Sequence, residues 1–352
     1  MARAESDRFG ELIIEDEKLY GVQTVRALEN MSCSRFKMSD YPSFIRALAL
    51  VKKAAALANQ RASVISSQTC KQICSAADLV SSGNYDQNFP VDMLHGGGGI
   101  AFNQNINEVL ARLAEREGKK NNLELEIRAK EEVNAGQSTA DSCSTAFRLA
   151  LLTEMQALLE TLFNLQESLK QRSLESDEIY TVARTCLQDA MPTKFSSVFS
   201  AWQSALARQR ENLIAASAKL QHVNLGATVI GSGEGASPIY RKHVVEILSD
   251  LSGYPLKLKE NLFDAAQHID ELADLANLLA TLSGLLIKIC GDLRLLSSGP
   301  QNGFGELILP AVQDGSSFFS AKNNPVIPET VMQACFHVIG NQRAAQAALE
   351  HG

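Results

Sequence analysis

Three leucine-rich stripes at helical spacing govern what this chain can become. Leu152, Met155, Leu158, Leu159, Leu162, Leu165 and Leu169 recur every three or four residues, so they fall on one side of a helix. Phe195, Val198, Phe199, Trp202, Ala205, Leu206, Leu213 and Leu220 form a second stripe, with Pro192 just upstream. Ile269, Leu272, Leu275, Leu279, Leu282, Leu285, Ile289, Leu293 and Leu296 form a third, which stops at Gly299-Pro300. Each stripe predicts a helix of about 25 residues, roughly 38 Å long at 1.5 Å per residue. Helices of that length need one another as packing partners, so the spacing predicts a mainly α chain built on a long-helix bundle. Leucines at this spacing are core material and not a cofactor box.

The first 135 residues read differently, in shorter segments broken by Pro42, Gly83-Asn84, Pro90 and the glycines at 96 to 99. We therefore divide the chain into an N-terminal helical lobe, 1–137, and a central bundle domain, 138–352. Phe44, Ala47, Leu48, Val51, Ala54, Ala55 and Leu57 mark an alanine-rich amphipathic helix in the first part. Strand signals are confined to Glu11–Ile14 and Asn224–Ile230. The four glycines precede a helix starting near Ile100, where backbone N–H groups can hold a carboxylate or the glycines can act as a hinge. The polar run Arg184–Ala190 reads as a turn between helices with Cys186 buried. Ala114–Lys130 alternates in charge sign and reads as a solvated helix or loop.

Composition narrows the function classes. With 352 residues, 45% of them apolar, the chain can bury a sizeable core across two or three domains. A net charge of -7 with acids and bases interspersed leaves no basic stripe for nucleic acid. Met1–Phe9 is charged and carries no apolar stretch, and no later run of about 18 residues is free of charged and polar groups. We expect a cytoplasmic protein with neither nucleic-acid nor membrane partners. The seven cysteines are scattered and odd in number, so no disulfide framework is expected. Cys70 and Cys74 share a helix face but lack further ligands, and the six histidines form no His-Glu-x-x-His pattern; no metal is expected. Gly231-Ser232-Gly233-Glu234-Gly235 has Ala236 where a dinucleotide fingerprint needs its third glycine, so it reads as a connection and no cofactor is expected.

One segment carries chemistry. Gly315-Ser316-Ser317-Phe318-Phe319-Ser320-Ala321-Lys322-Asn323-Asn324-Pro325 joins a small-residue run to a cation and an amide at alternate positions, as a carboxylate clamp requires, and Ser316 or Ser317 can reach a bound molecule. Its other reading is a polar surface loop before a helix that starts at Pro325. Gln137-Ser138-Thr139-Ala140-Asp141 adds two adjacent hydroxyls, which also make a good helix cap.

Taken in order, these segments resemble the fumarase/aspartase superfamily, and within it the aspartase branch. The resemblance rests on Tyr20–Asn30, Asn105–Val109, Val223–Ala227, Gly291–Pro300 and the 315–325 loop, which differs from the family's Gly-Ser-Ser-x-Met-x-x-Lys-x-Asn-Pro only in Phe319. It implies a homotetramer around a bundle of long helices, with each active site drawn from three subunits. It also implies that Ser316 removes a proton next to a carboxylate, after which ammonia or an amine leaves an aspartate-like substrate as fumarate forms. Lys322 and Asn324 match the family's carboxylate contacts, and Ser138, Thr139 and Thr185 match its hydroxyl donors.

Departures accompany the matches. Ile100 and Ala101 stand where the family has Thr-Ser, Ala140 where it has Asn, and Cys186 where it has His or Gln; Ala129-Lys130-Glu131-Glu132 replaces Pro-Asn-Asp-His. The sequence ends at Gly352, early in the segment after the loop, so the family's remaining central helix and small C-terminal domain have no counterpart in it. A hydrogen bond to a charged group is worth about 1.5 to 3 kcal/mol, so three lost partners remove roughly 4 to 9 kcal/mol if additive. Two functions follow: a lyase whose pocket is more apolar or larger, or a catalytically impaired paralogue serving as a scaffold, regulatory or interaction subunit.

Overall fold

In the computed structural model, which describes residues 2–351 apart from 121 and 124, helices dominate. In chain order come the antiparallel strands β1 (Ala2–Asp7) and β2 (Gly10–Glu15), then α1 (Val22–Asn30), α2 (Pro42–Arg61), α3 (Ser67–Ser81) and α4 (Ile100–Lys120). α5 (Thr139–Glu175) is followed by the antiparallel hairpin β3 (Tyr180–Thr185) and β4 (Gln188–Lys194), then by α6 (Phe195–Leu220). β5 (His222–Val223), α7 (Pro238–Ser252), β6 (Lys257–Leu258), α8 (Leu262–Gln267), α9 (Asp270–Leu296) and α10 (Val326–Leu349) complete the order, with β5 and β6 parallel.

Two compact units emerge, each discontinuous in sequence. The first holds Met1–Glu154 and Leu220–His268; the second holds Met155–Lys219 and Ile269–Gly352. The sequence-level boundary at 137/138 falls at the start of α5, within the first unit.

In the first unit, α2 starts with Pro42, whose missing N–H costs nothing in an opening turn, and continues on alanines of high helix propensity. α3 starts under a side-chain cap, Ser66 Oγ accepting from Thr69 N at 3.0 Å. Ile45, Leu48, Ile73, Val80, Ile106 and Leu110 are completely buried. Phe44 stacks on Phe147 at 4.1 Å and meets the edge of Phe102 at 5.4 Å, so α2, α4 and α5 share one aromatic cluster. Truncating a residue such as Leu48 to alanine would cost about 2 to 5 kcal/mol.

The second unit carries the long-helix stripes. All three expected helices are present, over α5, α6 and α9. Arg210 on α6 donates to Leu159 O on α5 at 3.1 Å and lies 5.4 Å above the Phe163 ring. α9 and α10 pack lengthwise, with Gln342 Nε2 donating to Asn277 Oδ1 at 2.6 Å. Much apolar surface stays uncovered, including Phe163, Ile214 and Phe336. α9 is long and apolar enough, by length and composition alone, to cross a membrane, and only 28% of its apolar window is buried within the chain.

Two sequence expectations need correction. Asn224–Ile230 is not a strand: after His222–Val223 the chain turns, Ala227 N donating to Asn224 O at 2.9 Å. Its β-branched residues favour extended backbone, but Gly226 and Thr228 have positive φ (93° and 58°), and their N–H groups point at a buried carboxylate described below. Arg184–Ala190 is not a turn between helices but the tip of the β3–β4 hairpin, and Cys186 there is exposed. A two-residue connection in which both residues have positive φ, Cys186 at 53° and Leu187 at 62°, matches the twist of the flanking strands.

Candidate active site

One group of candidate residues gathers at the start of α5. Ser138 precedes the helix; its N–H donates to Asp141 Oδ1 at 2.9 Å, and its Oγ accepts from Ala140 N at 3.2 Å, a reciprocal cap. Asp141 Oδ2 accepts from Gly226 N and Thr228 N, both at 3.0 Å, which ties α5 to the turn after β5. Burial pushes the Asp141 carboxyl up to about 6, opposed by these backbone bonds and by Lys52.

Behind Thr139 lies a buried cation. Lys52 on α2 has no exposed surface, and its Nζ donates to Asn103 Oδ1 at 2.6 Å and to Asn134 Oδ1 at 2.9 Å. Burial depresses its ammonium to about 7. Asn103 Nδ2 donates onward to Thr139 Oγ1 at 3.1 Å, so the hydroxyl is held as an acceptor on its inner side and its own hydrogen is directed elsewhere. Gly99, with φ of 89°, brings the glycine turn onto this spot: a Cβ there would lie 3.7 Å from Thr139 Cγ2. Ile100 and Ala101 follow directly, Ile100 44% exposed and Ala101 buried. The structure thus brings Ser138, Thr139 and Ala140 together with the glycine turn.

Two of the family-like segments meet through one carboxylate. Glu108 on α4 accepts from Gly21 N at 2.9 Å, Gln23 N at 2.8 Å, Thr24 N at 3.1 Å and Thr24 Oγ1 at 2.7 Å. It therefore caps α1, whose opening N–H groups have no partners inside the helix. Burial raises Glu108 above the usual carboxylate range against those four bonds.

The second unit holds the other candidates. Thr185 and Cys186 sit exposed at the hairpin tip. Ser316 Oγ accepts from Phe318 N at 3.1 Å and Phe319 N at 2.9 Å, a small turn of its own. Lys322 is exposed, and Asn324 Nδ2 donates to Gly315 O at 2.6 Å, closing the neck of the loop. Gly315 is required there because a Cβ would lie 2.0 Å from Lys322 O. Ser316 and Lys322 both line a cavity of about 410 Å³ formed by this loop. The hairpin lines a different cavity, of about 600 Å³, together with Trp202, Lys288 and Phe304.

Just below the hairpin tip, the Arg184 guanidinium pairs with Glu306, and Thr181 Oγ1 donates to the same carboxylate at 2.5 Å. Arg184 also lies 4.2 Å over the Phe304 ring. Sequence alone assigns no role to Lys52 or Asn103, and it marks Glu108 and Arg184 only as members of the segments Asn105–Val109 and Arg184–Ala190. One signal was available: of the two adjacent lysines inside the apolar, alanine-rich stretch Leu48–Ala58, Lys52 falls in helical phase with the apolar Leu48, Ala55 and Ala56.

The sequence matches the family described as Lyase over residues 10–340. An aspartate ammonia-lyase of Helicobacter pylori is 38% identical over 351 residues, which cover 99% of this chain and 75% of that protein. One of Corynebacterium glutamicum is 41% identical over 353 residues, covering 99% and 67%. Among solved structures, a fumarate lyase:delta crystallin of Brucella melitensis bound to cobalt superposes with a TM-score of 0.95 at 38% identity, over all of this chain and 77% of that one. A class II fumarase of Schistosoma mansoni gives 0.94 at 28% identity, again over 100% and 77%. With the fold and the ordered segments in agreement, the chain is a member of the lyase family, in the fumarase/aspartase superfamily.

Proposed function

We propose that this chain is a C–N lyase of the aspartase type, eliminating ammonia or an amine from aspartate or an aspartate-like substrate to give fumarate. The observation that carries the reading is that 99% of this chain matches 75% of an aspartate ammonia-lyase, together with an intact Gly-Ser-Ser, Lys, Asn-Pro loop. Ser316 is the base: as the alkoxide, favoured by the Phe318 and Phe319 N–H groups from which its Oγ accepts, it takes the proton from the carbon beside one carboxylate. The electron pair moves into that carboxylate, and it returns to form the C=C bond as the protonated amine leaves as neutral ammonia or amine with the C–N pair. The intermediate carries an extra negative charge, which Lys322, Asn324 and the hydroxyls of Thr185, Ser138 and Thr139 are suited to hold.

Such a site draws on several copies of the chain. The uncovered apolar faces of α5, α6, α9 and α10 support assembly into a homotetramer, because an 18-residue stretch of mean hydropathy 1.6 that is only 28% buried calls for helical neighbours. We expect the protein in the cytoplasm from its similarity to aspartate ammonia-lyases. Ile100, Ala101, Ala140 and Cys186 replace polar family groups; we read them as making room for a more apolar or bulkier amine.

The test follows fumarate formation from aspartate and from N-substituted aspartates, with Ser316→Ala as control. Serine-dependent product from either substrate upholds the reading. No serine-dependent product from any of them overturns it in favour of a scaffold role.

A further inference from the structure

We propose that Arg184 and Glu306 form a positioning pair that fixes the Ser316 loop relative to the Thr185 turn. This rests on the lyase reading for the roles of Thr185 and Ser316, but the contacts that suggest it do not depend on that reading.

Residues 297–325 between α9 and α10 have no regular helix or strand, yet they carry the candidate base and cation. Their first anchor is at the end of α9, where Glu306 N and Leu307 N both donate to Leu296 O, at 2.8 and 3.0 Å. The Glu306 side chain then reaches β3, where it accepts from Arg184 and from Thr181 Oγ1. Arg184 is held on three sides: by Glu306, by the Phe304 ring beneath it and by Asp189 across the hairpin at 3.8 Å. Both charged side chains are about four-fifths covered, at 18% and 19% exposure, so water competes weakly for the pair.

Beyond Glu306 the link to the loop is the backbone itself as far as Leu309, where hydrogen bonding resumes. Asn323 Nδ2 donates to Leu309 O at 3.2 Å, and its neighbour Asn324 donates to Gly315 O. The path begins one residue from Thr185 and ends one residue from Ser316, passing beside Lys322. An ordinary surface ion pair would steady the hairpin alone; this one joins two separate elements, with Thr185 next to Arg184 on the hairpin and Ser316 ten residues beyond Glu306 in the segment that follows α9. Arg suits the place because its planar fork can serve a carboxylate and an aromatic face together.

The experiment uses the full chain with Arg184→Gln, Glu306→Gln, the milder Thr181→Val and the swapped pair Arg184→Glu with Glu306→Arg. Two readouts are taken: kcat and KM for fumarate formation, and hydrogen exchange of 180–194 and 304–325. Losing a charge-assisted bond predicts kcat about 10- to 100-fold lower in either single Gln variant. KM should move by less than about threefold, as expected when a group is misplaced for the transition state only. Thr181→Val should shift the same way by less. Exchange should quicken in both segments of the Gln variants, and the swapped pair should recover at least part of both losses. Unchanged kcat with unchanged exchange in 304–325, or a swapped pair no better than the single variants, would overturn the pairing. If the parent chain makes no Ser316-dependent fumarate, the lyase reading fails by that result, and exchange alone decides the pair: joint loosening of both segments upholds it, and loosening of the hairpin alone overturns it.

Discussion

Lys52 Nζ donates to Asn103 Oδ1 at 2.6 Å in a place where the lysine has no exposed surface. The consequence is a pH-dependent stability of known sign. An unfolded chain holds the lysine proton up to about 10.5, whereas burial in the folded state depresses the ammonium to about 7. Between these values the unfolded state binds more protons, so this group makes stability rise with pH across the window, by at most about 1.4 kcal/mol per pH unit. Lys52→Met should flatten that rise, as read from urea unfolding at pH 7, 8 and 9.

Asp141 has the opposite sign. Its carboxyl is raised from 3.8 to about 6, so the folded state binds more protons between those values and this contribution falls as pH rises through them. Asp141→Asn should remove that slope, while Asp141→Ala leaves the N–H groups of Ser138, Gly226 and Thr228 without their acceptor. The alanine variant should lose about 3 kcal/mol or more, at roughly 1 to 3 kcal/mol per unsatisfied buried group. Denaturant midpoints of the two variants at one pH check this.

Ser316→Ala should lower fumarate formation by about 100- to 10 000-fold, the usual range for a lost general base. Because the hydrogen bonds that Ser316 Oγ accepts come from its own turn, thermal unfolding should shift little. A large drop in melting temperature would assign the loss of activity to structure instead.

Ala140→Asn restores an amide at the first turn of α5. Ala140 is only half-buried, so there is room for the larger side chain. If the alanine marks a pocket altered for a different amine, the variant should raise kcat/KM for aspartate itself by about 10- to 100-fold, the value of one bond to a charged group. N-substituted aspartates should lose rate in the same variant.

Assembly can be weighed directly. With α9 mostly uncovered inside one chain, light scattering should find a particle near four times 38.2 kDa. Replacing exposed Phe336 on α10 by Glu should shift that mass downward.

The sequence made the long helices legible because a stripe of leucines every three or four residues has one stable placement. It did not reveal the β3–β4 hairpin: Cys186 and Leu187 fill a turn that ordinarily advertises itself with Asn-Gly, and the strands around them lack an apolar alternation. Ala227-Thr228-Val229-Ile230 misled in the other direction, since local preference for a strand gave way to two backbone bonds on Asp141 from a distant helix. The 315–325 loop was visible because its chemistry lies in consecutive residues. The support beneath Thr139 was not, because Lys52, Asn103 and Asn134 are far apart in sequence and only the packed core makes them neighbours.

The constriction at Gly315 has an evolutionary corollary. Where one hydrogen is all that separates the backbone from Lys322 O, drift at that codon is closed, whereas Phe318 and Phe319, 84% and 60% exposed, can vary with little effect on the fold. A randomised library across 315–319, sorted for folded chains, should return glycine at its first position and wide diversity at its last two. The exchange of the family's methionine for Phe319 is the kind of change such an open position admits.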